Sequence, residues 1–128
     1  KYLNAAKSLF SAFSGFLENN PQAAEVLLHA LFFSLSSPAE IVICGEKSDP
    51  RTQALIKEIN RRFLPSAVLL FRDPHKPSEE LLKIAPFLKD QGMANGMPTV
   101  FICRNQTCER PENSVQALAQ RLDKKRSP

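Results

Sequence analysis

The chain has 128 residues, 43% apolar and 23% charged, which is the balance of an ordinary globular protein able to bury a core without disulfides or metals. Nine phenylalanines, one tyrosine and no tryptophan describe a dry aromatic core and not a sugar- or base-stacking surface. The net charge of +4 comes from scattered residues (Lys7, Lys57, Arg61, Arg62, Lys83, Lys89) and a short run at Lys124, Lys125 and Arg126, so no nucleic-acid partner is expected.

Tyr2, Ala6, Leu9, Phe13 and Phe16 recur at steps of four and three, with Leu3, Phe10 and Leu17 beside them, and predict a first amphipathic helix. Gly15 weakens it and Asn19-Asn20 ends it. Asn20-Pro21 then reads as a cap followed by a first helical position. From Val26 to Leu35 the second helix is apolar on nearly every side, the mark of a helix buried all round. A chain this short is not expected to cover it, so the cover is expected from the rest of a longer parent chain. Dimerisation through that helix is the other option left open.

Ser36-Ser37-Pro38 separates this hairpin from the remainder, giving expected domains at 1–37 and 38–128. Ile41-Val42-Ile43-Cys44, closed by Gly45, reads as a buried strand. Asp49-Pro50 starts a helix through Ala54, Leu55, Ile59 and Phe63 that ends near Leu64-Pro65. Ala67 to Phe71 is a second strand, closed by Asp73-Pro74. Ser78 caps a third helix with Glu79 and Glu80 in its first turn, and Pro86 kinks or ends it. A loop with Gly92 and Gly96 leads to Pro98 and a strand from Thr99 to Cys103. A short extended piece follows, then a helix from Ser114 to Leu122. Alternation of strands and helices predicts an α/β fold: a small three-stranded parallel sheet with flanking helices, its first strand central.

In such a sheet Cys44, Cys103 and Cys108 would gather at one carboxyl rim, joined by His75 after the second strand. Those residues define a candidate thiol site, redox-active or metal-binding. A Cys3His zinc set with His75 is a lesser option, because zinc knuckles prefer a tighter cysteine pair than C-x4-C. Buried inert thiols are the plainer reading of Cys44 and Cys103. An odd cysteine count fits a reducing compartment, and a cytoplasmic location is expected. The chain opens on Lys1 with no signal peptide and no apolar stretch long enough to span a bilayer, so no membrane partner is expected.

Gly45-Glu46-Lys47-Ser48 lacks the glycine spacing of a phosphate loop, and Asp49 places negative charge where a phosphate would sit. It reads as a turn and helix cap. His29 reads as a packed or surface residue. No Ser-His-Asp arrangement, carboxylate pair or H-E-x-x-H spacing is visible, so no catalytic residue and no cofactor are expected. Met97-Pro98-Thr99 before an apolar strand is similar to the thioredoxin fold, where a proline at that place faces the redox cysteines. This alternative requires the third strand to run antiparallel to the first and Pro98 to lie beside Cys44. Cys44 has no second cysteine two or three residues on, and a lone cysteine cannot run dithiol exchange.

The run Glu40-Ile41-Val42-Ile43-Cys44-Gly45, the helix end Arg62-Phe63-Leu64-Pro65, and Val100-Phe101-Ile102-Cys103 through Cys108 to Pro111 carry a wider similarity. Over Ala39 to Leu122 the sequence resembles the C-terminal end of the spermatogenesis-associated protein 20 family, long thioredoxin-domain proteins. The resemblance implies a thioredoxin-like domain and an epimerase- or glycosidase-like helical toroid ahead of this segment, with Lys1 to Ser36 as the toroid's last helices. It implies a redox- or carbohydrate-related parent, with this piece as its non-catalytic α/β module. Only Cys103, Cys108 and Pro111 map onto a family element.

Overall fold

Two kinds of periodicity, helical up to Leu35 and strand-and-helix from Ala39, become two compact units in the computed structural model, Lys1–Pro38 and Ala39–Pro128. The structure describes residues 2–76, 78–105 and 107–124; Lys125 and Arg126 of the basic run lie outside the described residues.

In the first unit the predicted first helix is split into α1 (Tyr2–Ala12) and α2 (Ser14–Asn19). Phe13 leaves helical geometry at φ −100°, ψ 7°, and the Ser14 hydroxyl donates to Ser11 O at 2.9 Å, a local side-chain bond of the kind that competes with helix. Pro21–Ala24 forms a 3-10 turn and α3 (Glu25–Leu35) follows. Leu17 and Ala24 are buried, and Phe13 and Phe16 meet edge to face at 6.4 Å between ring centres. No residue of α3 is buried. A helix apolar all round needs neighbours on several sides, and a hairpin supplies them on one.

The second unit runs β1 (Ala39–Cys44), α4 (Pro50–Asn60), β2 (Ala67–Arg72), α5 (Glu79–Ile84), a 3-10 turn at Pro86–Asp90, β3 (Thr99–Arg104), β4 (Thr107–Cys108) and α6 (Val115–Lys124). Its caps act as the sequence suggests. The Asp49 side chain accepts from Arg51 N at 2.8 Å with Pro50 at the first helical position, and Ser78 Oγ accepts from Leu81 N at 3.2 Å.

The sheet is mixed, four-stranded and ordered β2-β1-β3-β4. β1 is central, as expected, and pairs with β2 in parallel. It pairs with β3 antiparallel, Cys44 opposite Thr99 and Glu40 opposite Cys103. The expected three-stranded parallel sheet is therefore corrected in strand count and direction. The cause lies at the start of β3. Thr99 Oγ1 accepts from Ala94 N and donates to Met97 O, both at 2.9 Å, holding the Asn95-Gly96 turn closed. Asn95 and Gly96 take positive φ of 54° and 70°, a conformation these two residue types tolerate best. Pro98 then seats against Gly45, where the missing Cβ leaves room. The chain consequently enters β3 from the Cys44 end and runs backward.

Alternating residues of β1 bury both faces. Ala39, Ile41 and Ile43 pack with Val100 and Ile102 under α4 and α6, around Leu55, Ile59, Leu118 and Leu122. Val42 and Cys44 face the other way, against Ala85, Leu88 and Phe101. Arg62 fastens the helical layer. Its guanidinium donates to Asp123 at 2.9 and 3.1 Å and to Glu58 at 2.6 Å, joining the end of α4 to α6.

Candidate functional site

The reversed β3 divides the expected thiol site in two. Cys44 lies at the carboxyl end of β1, and the register puts Cys103 four residues away along β3, at the other end of the sheet. At about 3.4 Å per residue that is about 13 Å. Three sulfurs at one rim would have required a parallel β3, so the joint site of Cys44, Cys103 and Cys108 is not formed.

Cys44 is a free thiol, wholly buried beneath Leu88 and Ala85. Burial pushes its pKa up to about 11, against a smaller opposing pull from the Arg72 guanidinium. Gly45 follows, and a Cβ there would lie 2.5 Å from Thr52 Oγ1 and 3.0 Å from Pro98 Cβ. Pro98 thus lies against the residue after Cys44, and Cys44 itself pairs with Thr99. Between Cys44 and α4 stand Gly45, Glu46, Lys47, Ser48 and Asp49, with no second sulfur.

Gly45 to Ser48 forms the anticipated turn: Asp49 N donates to Glu46 O at 3.1 Å, and Gln53 Nε2 donates to Lys47 O at 2.6 Å. The Arg51 guanidinium beside Asp49 holds that carboxyl below its ordinary range, so the helix start is occupied by a stable anion of the protein itself. His75 lies near this turn, its Nε2 3.1 Å from Glu46 Oε1, both side chains largely exposed. It is far from Cys103 and Cys108. Among the described residues no group of three or more His, Cys, Asp or Glu side chains gathers as a metal set, and the Cys3His option fails with the shared rim. His29 is exposed on α3.

At the opposite end Cys103 and Cys108 are joined as a disulfide across β3 and β4, which pair them directly. Cys103 is 1% exposed, whereas Cys108, on a two-residue edge strand, is exposed. Gln91, 5% exposed at the end of the Pro86–Asp90 turn, donates Nε2 to Cys103 Sγ at 3.4 Å and to Cys108 Sγ at 3.3 Å. Sequence reading marked the C-x4-C spacing but grouped both cysteines with Cys44 and took Cys103 more plainly as an inert thiol; it missed the amide altogether. Nothing in the local pattern marks Gln91, because it reaches the sulfurs only through the packing of that turn on the sheet face.

The geometry defines a mixed-sheet α/β domain with a disulfide-closed hairpin and a buried lone thiol, preceded in the chain by a separate helical unit. Over 110 residues the chain is 29% identical to spermatogenesis-associated protein 20 of Homo sapiens and 30% identical to that of Rattus norvegicus. Each alignment covers 86% of this chain and 14% of the relative, so the chain spans about one seventh of the length of the curated relatives it matches. These relatives, with a third from Mus musculus at 29% identity, support assigning the chain to the spermatogenesis-associated protein 20 family. No family model and no solved structure matches it.

Proposed function

We propose that this chain is a non-catalytic module of a longer protein, in which Ala39 to Pro128 form a thioredoxin-like domain without a working dithiol. The strand order, the backward β3 and the placement of Pro98 beside the Cys44 end support the thioredoxin-like reading. The observation that carries the non-catalytic reading is Cys44 itself. It is buried, its pKa is raised to about 11, and no second sulfur stands before α4. Dithiol exchange needs an accessible thiolate and a resolving partner, and this end of the sheet offers neither.

The partner on this reading is the rest of the parent chain, a helical toroid and a further thioredoxin-like domain. The small share of the relatives' length that the chain spans supports it, and so does the bare apolar surface of α3, with Phe32 57% and Leu35 77% exposed on one side of the helix. Isolated apolar patches of that kind mark surfaces that meet another protein surface. No nucleic-acid or membrane partner belongs to this reading; no described helix is long and apolar enough to cross a membrane. A cytoplasmic location is kept as part of the proposal.

The test is a disulfide-reductase assay with insulin as substrate, run on the chain and on Cys44→Ser. Equal and negligible turnover supports a silent module. Turnover that Cys44→Ser abolishes overturns it.

A further inference from the structure

We propose that the Cys103–Cys108 disulfide is an exchangeable redox site that low-molecular-weight thiols open at Cys108, with Gln91 positioned to receive the charge released on Cys103. Three observations converge. The hairpin that carries Cys108 is an edge strand of two residues, with one neighbouring strand and an exposed cysteine. Its partner Cys103, near the end of the inner strand β3, is buried, so an incoming thiolate reaches one sulfur and not the other. The only polar side chain bonded to either sulfur among the described residues is the Gln91 amide, which touches both.

That amide is poorly matched to the oxidised state. A disulfide sulfur is a weak acceptor, and burying a primary amide against weak acceptors recovers little of its lost hydration. A thiolate is a strong acceptor, and a donor held beside it favours the charged form. The site therefore suits the moment at which Cys103 carries negative charge. It also stands apart from Cys44, so it is independent of the silent-module reading.

In the exchange a reductant thiolate attacks Cys108 Sγ. The bond from reductant sulfur to Cys108 forms as the Cys108–Cys103 bond breaks, and the electron pair leaves on Cys103 beside Gln91 Nε2. A second reductant thiolate attacks the reductant sulfur of this mixed disulfide, releasing Cys108 as thiolate and the reductant's own disulfide. Two reductant thiols are oxidised, one protein disulfide is reduced, and the two protons given up by the reductant end on Cys103 and Cys108.

The experiment incubates the oxidised chain in native buffer with glutathione at graded ratios of thiol to disulfide, followed by acid quenching, alkylation and peptide mass mapping. The expected result is reversible opening of Cys103–Cys108 without loss of the circular-dichroism signal, with the transient glutathione adduct on Cys108. A bond that yields only after urea unfolds the chain overturns the proposal, and so does an adduct on Cys103. Gln91→Leu should slow opening by about tenfold and raise the apparent pKa of Cys103 measured by alkylation in a Cys108→Ser background. An unchanged rate and pH profile removes Gln91 from the site. Should Gln91→Leu fail to fold, adduct mapping on the unaltered chain still decides where attack falls.

Discussion

Gly45 and Pro98 meet at the rim of the sheet, close enough that a Cβ on the glycine would stand 3.0 Å from the proline Cβ and 2.5 Å from Thr52 Oγ1. The contact locks three segments together: the turn after β1, the first turn of α4 and the start of β3. Gly45 does not need left-handed backbone, so the constraint here is space alone.

Gly45→Ala is accordingly expected to destabilise the chain by about 1–3 kcal/mol, the usual range for forcing a methyl into a packed site. Urea unfolding followed by circular dichroism measures it. Adding Thr52→Ala removes the nearest clashing atom, so the double substitution should lose less than the two single losses summed. Strict additivity would show that the crowding lies elsewhere.

Cys44 should be inert toward alkylating agents at neutral pH. With its pKa raised to about 11, its thiolate fraction at pH 7.5 falls below that of an ordinary cysteine on the order of a hundredfold. Native-state labelling with iodoacetamide, compared with the urea-unfolded chain, reads the difference directly.

The same raised pKa predicts a pH dependence of stability. Above pH 9 the unfolded chain loses the Cys44 proton while the folded chain keeps it, so the unfolded state binds fewer protons and stability falls as pH rises. The contribution is complete below pH 9 and is lost on the way to 11. Cys44→Ala should flatten that part of the curve in unfolding titrations between pH 8 and 11.

Arg62 and Arg61 are adjacent, yet they should answer differently to substitution. Arg62 joins Asp123 on α6 with two bonds and Glu58 with two, one to its carboxylate and one to its backbone carbonyl, its side chain 10% exposed. Arg61 makes one 3.4 Å contact to Glu58 at the surface. Arg62→Met should lower the thermal midpoint, and Arg62→Lys should recover part of the loss because an ammonium cannot reproduce the two-pronged fit to Asp123. Arg61→Met should leave the midpoint within error.

The bare face of α3 should make the isolated chain associate as concentration rises. Phe32→Lys with Leu35→Lys, three residues apart on one side of the helix, should suppress that association, read by light scattering over a tenfold range of concentration. Association unchanged by both substitutions would place the sticky surface elsewhere.

Much of this fold could be read from residue pattern. Asp49-Pro50 and Ser78 announced their helices because a cap needs only a side chain and the backbone beside it. Ile41-Val42-Ile43 announced a central strand because a sheet buried on both faces must be apolar at consecutive positions. Direction was a different matter. The run Thr99 to Cys103 is equally apolar read either way, and what sets its course is a glycine-to-proline contact between segments some fifty residues apart. The candidate site failed on that one point: each cysteine was placed correctly at a strand end or just beyond it, and the ends were assigned to the wrong rim. Gln91 was invisible for a related reason. Its role depends on a 3-10 turn lying over the sheet face, and amide side chains show no periodicity to betray it.

The backward course of β3 has a practical consequence. It leaves the protein with two chemically unlike sulfur centres some 13 Å apart on one sheet face. One is sealed until the core opens, and the other sits on the margin of the sheet. A reagent that distinguishes them turns the chain into its own two-channel gauge, reporting fraying of the hairpin and collapse of the core as separate events in a single sample.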